Sequence, residues 1–281
     1  MGLRINTNVA GLRTTRILRG TTLDLNKSLE RLSSGLRINR AADDAAGIAI
    51  AEGFRSVSKA AVVSQRNAQD GISLVQTAEG ALSTVINILQ RIRELAVQSA
   101  NGTNSVQNRA DLQLEVTELV AQIEDIANNT EFNGVTMLDG TLPSITLQVG
   151  ATATSILTIA IAADINPVDL FPAPPSAVAG VLDIDDQVNA RASLAIIDTA
   201  LSAVNTQRSA FGAAQNRLEF TISSLQIQEE NSVAAESSIR DADIARETIA
   251  FTRAQILVSA GTSILAQANV IPQTALQLLG G

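Results

Sequence analysis

Between Ala78 and Ala96 the apolar residues recur at steps of four and three: Ala78, Leu82, Val85, Leu89, Ile92 and Ala96. A stripe of this kind marks a long helix that packs lengthwise on others. The same frame runs back through Val75, Gly71, Ala68, Ser64, Ala61 and Val57, weaker but unbroken. A helix from about Ser56 to Ala100 would be roughly 65 Å long at ~1.5 Å per residue, a rod rather than part of a compact enzyme.

The pattern returns on either side. Leu18, Thr22, Leu25, Leu29, Leu32 and Leu36 predict an N-terminal amphipathic helix, with Asp24, Lys27, Glu30 and Arg31 on its solvated face. Ser33-Ser34-Gly35 weakens it, and Arg37-Ile38-Asn39-Arg40 reads as a break before Ala41 to Phe54. After the long helix, Asn101-Gly102-Thr103-Asn104 is a turn, and Asn104 or Ser105 is placed to cap the next helix. That helix carries Leu112, Val116, Leu119, Ile123 and Ile126, folds back antiparallel, and ends near Asn128-Asn129.

From Glu131 to Asp183 the period shortens to two. Ile145 to Gly150 alternates, as does part of Ser155 to Ala163, which predicts one or two β-hairpins. Phe171-Pro172-Ala173-Pro174-Pro175-Ser176 reads as a stiff extended connector. Leu194, Ile197, Leu201, Val204, Arg208, Phe211, Gln215, Leu218, Ile222 and Leu225 then restore the heptad, with Arg208 and Gln215 expected at the edge of the stripe. A last amphipathic stripe holds Leu257, Ala260, Ile264, Ala268 and Ile271, and Pro272 should kink or end that helix.

The order is therefore amphipathic helix, long heptad helix, short β insert, long heptad helix, amphipathic helix. It predicts a mainly α fold: a long antiparallel helical hairpin or coiled coil with a small β-hairpin region at its outer tip. The expected domains are 1–43 with 237–281, a terminal coiled coil, and 44–236, a helical rod carrying the insert at about 131–183.

Composition narrows the chemistry. Hydrophobic residues make up 46% of the 281, but aromatics only 2%, so the apolar mass is the aliphatic kind that suits close helix packing. The chain has no Cys and no His, which removes disulfides, thiolate catalysis, the commonest general base and the commonest metal ligand. No cofactor or metal site is expected. A net charge of −8 argues against nucleic acid as a partner. No uninterrupted apolar run approaches the ~18 residues of a bilayer span, so no membrane partner is expected. Met1 to Asn6 offers no apolar core for a cleaved signal peptide. Asp43-Asp44 and Asp241/Asp243 are the close carboxylate pairs; helix capping or pairing with Arg40, Arg240 and Arg246 accounts for them better than catalysis.

Several long strings resemble bacterial flagellin. They are Ser33-Ser34-Gly35-Leu36-Arg37-Ile38-Asn39 followed by Ala42-Asp43-Asp44-Ala45-Ala46-Gly47, then Arg66-Asn67-Ala68-Gln69-Asp70-Gly71-Ile72-Ser73 and Gln76 to Leu82. Gln90 to Asn101 and Glu131-Phe132-Asn133-Gly134 continue the likeness, and Gly212 to Leu218, Ile239 to Asp243 and Ala266 to Asn269 complete it in the expected order. It covers roughly 1–140 and 185–281, leaving about fifty residues where many flagellins carry large outer domains.

The resemblance implies a structural subunit, not an enzyme, that polymerises into the extracellular filament of the flagellum. Its terminal helices would form the inner contact, through Leu18, Leu25, Leu29, Leu32, Leu36, Leu257, Ile264 and Ile271. Partners implied are further copies of itself, the flagellar export apparatus, a chaperone, a cap and hook-associated proteins. Export through a type III route would need no cleaved signal. The resemblance also implies recognition by the animal Toll-like flagellin receptor through Arg91, Leu95 and Glu115. Leu95 stands beside the heptad stripe and is expected to be free for a partner, four residues from Arg91 on one helix face. Two other readings keep the helices but change the role: a hook–filament junction protein, or a secreted coiled-coil scaffold or adhesin.

Overall fold

A computed structural model describes residues 7–161, 165–171 and 182–279, with side chains to residue 270. By contact the chain divides into two units, Lys59–Glu229 and Met1–Ser58 with Glu230–Gly281. The heptad reading puts the boundaries at 43/44 and 236/237. The long helices α2 (Ala45–Ser99) and α5 (Gln187–Arg240) each continue across the division between these units.

In the larger unit α2 is the central helix. Every residue of the Ala78–Ala96 stripe is 0% exposed, and Ala61, Ser64, Ala68, Gly71 and Val75 are buried ahead of it. Beside that seam, Ile72, Leu74, Ile86 and Leu95 are buried too. The buried arc is wider than a two-helix seam because α3 (Val106–Asn129) and α5 both supply core to it. On α5 a buried position recurs every seven residues, at Ala190, Ile197, Val204, Phe211, Leu218 and Leu225, with Ser193 and Ala200 buried beside that line. A seven-residue repeat held over this length keeps the seam on the partner only if the helices coil left-handedly. Arg208 and Gln215 lie half-buried at the edge of the stripe, as expected: Arg208 reaches Glu79 at 3.3 Å and Gln215 donates to Glu219.

The turn after α2 is stapled by Arg109, which is buried on α3. It donates to the carbonyls of Ser99 (3.0 Å) and Asn101 (3.1 Å), placing a cation at the carbonyl end of α2. Ser105 is the N-cap of α3, its hydroxyl accepting from the Asn108 N–H. The Gln113 side chain then pairs with the backbone of 182–184, donating to the Leu182 carbonyl and accepting from the Ile184 N–H.

The β insert is two small antiparallel pairs. β1 (Glu131–Phe132) and β2 (Val135–Thr136) turn at Asn133 and Gly134, both at positive φ (52° and 77°), the mirror-image turn that matches strand twist. β3 (Ser144–Gln148) pairs with β4 (Ile156–Ala160), Thr146 opposite Thr158, and β4 alternates with Leu157 and Ile159 buried. Leu147 of β3 fills the place a side chain would take at Gly71; an added Cβ there would lie 2.2 Å from it. A single turn, α4 (Pro167–Leu170), follows. Of the expected Pro-rich connector, 172–176 lies outside the described residues.

In the smaller unit α1 (Val9–Ser34) packs on α6 (Ile244–Leu279). α1 stops where expected, at Gly35 in the left-handed region (φ 72°). Two expectations fail here. The long helix does not begin at about Ser56 after a separate Ala41–Phe54 piece; it starts at Ala45 and is continuous, because Asp44 caps it and no breaker follows. Nor does Pro272 end the last helix, which continues to Leu279. Proline forfeits one ladder bond, and Gln273 to Leu279 contains no second breaker.

Candidate assembly surface

The contact between α1 and α6 mixes buried small residues with half-buried large ones. Asn8 caps α1 by accepting from the Gly11 N–H, and its amide donates to the Ala268 carbonyl (3.0 Å) and to Asn269. Leu18 stands against Gly261, and Arg31 reaches Glu247 at 3.7 Å. Gly11 and Ser28 on α1 and Ala254 and Ala268 on α6 are buried, while Leu18, Leu25 and Leu32 on α1 and Phe251, Val258 and Leu265 on α6 are half-buried. The packed frame of α6 thus steps 251, 254, 258, 261, 265, 268, and it is not the expected one.

Leu257 and Ile264 point elsewhere and are 51% and 59% exposed. Leu29, expected to share the stripe of Leu25 and Leu32, is 55% exposed, and Leu36 is half-buried where its backbone bridges to Asp241. The side chain of Ile271 lies outside the described residues. α6 therefore carries two apolar faces, one on α1 and one uncovered. α1 does likewise, since Leu12, Ile17 and Leu23 are exposed by two-thirds or more. The sequence reading missed these open faces by choosing one stripe per helix. The signal was present: no charged residue follows Arg253, so α6 is apolar almost all round.

Averaging over eighteen residues sharpens the point. By length and mean composition alone, α2 and the Ile244–Val270 part of α6 are each apolar enough to cross a membrane, although neither holds an uninterrupted apolar run of that length. Half of the α2 window is buried within the chain, but only 6% of the α6 window. The apolar character of α2 is core; that of α6 has no cover in one copy.

Where the helices join, the acid pairs are structural. Asp43 accepts from Lys27 (2.8 Å) and from the N–H groups of Asn39 and Arg40, and the Lys27 hydrogen bond leads in holding its carboxyl down to about 2. Asp44 caps α2 at Gly47 (2.9 Å), and Asp243 caps α6 at Ala245 and Arg246. Asp241 accepts from Ser237. Of the arginines expected to neutralise them, only Arg246 does, at 3.3 Å from Asp243. Arg40 pairs with Glu30 and Arg240 with Glu52 and Glu236, while Lys27 holds Asp43.

Arg91, Leu95 and Glu115 are brought together in part. Arg91 on α2 grips Glu115 on α3 at 2.8 Å and Glu94 at 3.2 Å, all three exposed; Glu115 first and then Glu94 raise the Arg91 pKa. Leu95 is 1% exposed, so the expectation that it is free for a partner is wrong. A helix flanked on two sides buries residues beside its heptad as well as on it.

Matches to known families follow the same two stretches. The bacterial flagellin N-terminal helical region matches residues 5–142, and the bacterial flagellin C-terminal helical region matches residues 194–279. The chain belongs to the bacterial flagellin family. A flagellin of Halalkalibacterium halodurans is 51% identical over 253 residues, 90% of this chain and 91% of that one. The flagellin of Bacillus subtilis is 42% identical across 99% of this chain and all of its own length. A flagellar filament 33 kDa core protein of Treponema phagedenis is 42% identical over 98% and 99%. Among solved structures, Bacillus cereus flagellin superposes with a TM-score of 0.50 at 34% identity, covering 57% of this chain and 88% of that one. A putative flagellar hook-associated protein of Vibrio parahaemolyticus shares the fold (TM-score 0.57) at 16% identity, over 71% of this chain and the whole of that one. This flagellin is a short form: filament core proteins of the Treponema relatives match it over 98% of this chain and 99% of their own, with no room for large outer domains.

Proposed function

We propose that this flagellin is the structural subunit of a flagellar filament, polymerising through its terminal helices into a helical tube for swimming. The observation that carries the reading is the uncovered second face of α6, with Ile249, Ile256, Leu257 and Ile264 each more than half exposed beside the face that packs on α1. Exposed apolar surface of this extent marks an interaction site, and further copies of the same helices supply matching faces. Residues 1–43 and 237–281 would then form the inner layer and 44–236 the outer rod. The family's role is structural rather than enzymatic, and filament core proteins among the relatives support the reading. Electron microscopy of the purified protein after salting out tests it: long helical filaments are expected, and small closed oligomers with ordered ends would favour the scaffold or adhesin instead.

Export without a cleaved signal, through the flagellar apparatus with its chaperone and cap, and connection to hook-associated proteins, rest on the family resemblance. Cells lacking the export apparatus should retain the full-length chain inside; its normal appearance in the medium would refute this. Recognition by the animal Toll-like receptor is carried by the exposed Arg91–Glu115 pair, with Leu95 supporting α2 from below. Arg91→Ala should lower receptor activation by monomers whose melting is unchanged, and equal signalling would remove the assignment.

A further inference from the structure

Charge is segregated along the terminal helices. No acidic residue precedes Asp24 and none follows Glu247, in a chain whose net charge is −8. α1 and α6 run antiparallel, Asn8 meeting Ala268 and Leu18 meeting Gly261, so the two acid-free stretches lie side by side. On α1 this stretch carries Arg13, Arg16 and Arg19. All three are exposed, and none has an ion pair or a side-chain hydrogen bond among the described residues. The neighbouring stretch of α6 offers them no anion, since its one charged residue is Arg253.

Apolar side chains are interleaved with these cations. At about 100° per residue, Arg13, Arg16 and Arg19 span about 120° of the α1 surface. Val9, Leu12 and Leu23 fall inside that arc and are exposed with them. The arc lies opposite the buried Gly11 and the half-buried Leu18 and Leu25, so it faces away from α6. α1 is therefore a basic amphipathic helix whose outward face is both greasy and cationic. The uncovered face of α6 differs, being apolar with a single arginine.

A bilayer with anionic headgroups meets both needs of the α1 face. Its acyl layer takes the aliphatic side chains, while the guanidinium groups reach up to the phosphates. The acid-free end of a second copy matches the apolar character but brings the same cations. The expectation of no membrane partner rested on uninterrupted runs, which is the requirement for spanning; a helix that lies in the interface needs only one apolar face.

We propose that the free subunit docks on an anionic lipid surface through the outward face of α1, with Val9, Leu12 and Leu23 in the acyl boundary and Arg13, Arg16 and Arg19 at the phosphates. Monomers kept too dilute to polymerise, mixed with vesicles of phosphatidylglycerol and phosphatidylcholine, should sediment with them. Binding to phosphatidylcholine alone should be at least about tenfold weaker. Arg13→Gln, Arg16→Gln and Arg19→Gln together should weaken binding about a hundredfold, at about fivefold for each arginine, with helical content in buffer unchanged. Arg217→Gln, exposed on α5 and outside the face, should leave binding as it is. Absence of binding to the phosphatidylglycerol vesicles, equal binding to both kinds, or an unaffected triple variant would overturn the proposal. So would capture by soluble polyglutamate without vesicle binding, which would point to an acidic protein instead. The filament reading is tested apart from this, by light scattering of the same sample when concentrated. A chain that polymerises yet ignores vesicles loses only this inference, and one that binds vesicles without polymerising keeps it.

Discussion

Arg109 shows how much one side chain can carry when it is both charged and enclosed. Its guanidinium is spent on two carbonyls that end α2, so Arg109→Ala strips partners from both. The expected loss is about 1–3 kcal/mol, read from chemical unfolding, the range for orphaned buried polar groups. Leu95 and Arg91, one turn apart, should separate cleanly. Leu95→Ala should cost about 2–5 kcal/mol because it opens a cavity in a packed seam. Arg91→Ala should cost at most about 1 kcal/mol, since its ion pairs are exposed. At Asp43 the carboxyl lies below its ordinary value, so the stability it lends is complete above about pH 4 and is lost as pH falls through about 2. In Lys27→Met the Asp43 carboxyl should titrate closer to the ordinary carboxylate value by NMR; an unmoved titration would mean that the lysine is not its main support.

At the scale of elements, the smaller unit is under-packed by design of its residues. α1 and α6 approach through Gly11, Ser28, Ala254 and Gly261 alternating with half-buried large residues such as Leu18, Leu25, Phe251 and Leu265, which leaves a second set, Leu12, Ile17, Leu23, Leu257 and Ile264, outward. Leu257→Asp with Ile264→Asp should leave the thermal melt of the isolated chain within about 0.5 kcal/mol, as surface changes do, while abolishing polymerisation by light scattering. A collapse of the monomer's fold would show that face to be intramolecular core after all. In the larger unit the reverse holds. Gly71→Val places branched carbon where the Leu147 methyl already lies, so Leu147 must swing aside and loosen the hold of β3 on α2; faster proteolysis between 144 and 160 is the expected readout. These elements were largely legible in the sequence. The heptad of α2, the Gly35 stop and the Ser105 cap each act through local spacing or backbone freedom. The packed face of α6 was not legible, because a helix apolar on several sides offers more than one stripe and only its neighbour chooses among them.

For the whole molecule, a core exists around α2 and a deficit of cover exists around α6. Hydrogen exchange should therefore be slow for amides of the Ala78–Ala96 stripe in the isolated chain. It should be fast along α1 and α6 until assembly, when both become protected. Equal protection of the two regions in dilute monomer would contradict the filament reading at its physical root.

The sequence alone settled what depends on periodicity and composition: helices of great length, a short alternating insert, the absence of histidine and cysteine chemistry, and the family strings. Tertiary structure decided which side chains are shared between helices. It buried Leu95 by flanking α2 on two sides, turned Leu257 and Ile264 outward by seating α6 on α1 through its other face, and gave Asp43 to Lys27 rather than to an arginine. Spacing along one helix specifies a face, but burial is a property of the pair of surfaces that meet, and the second surface comes from a distant part of the chain.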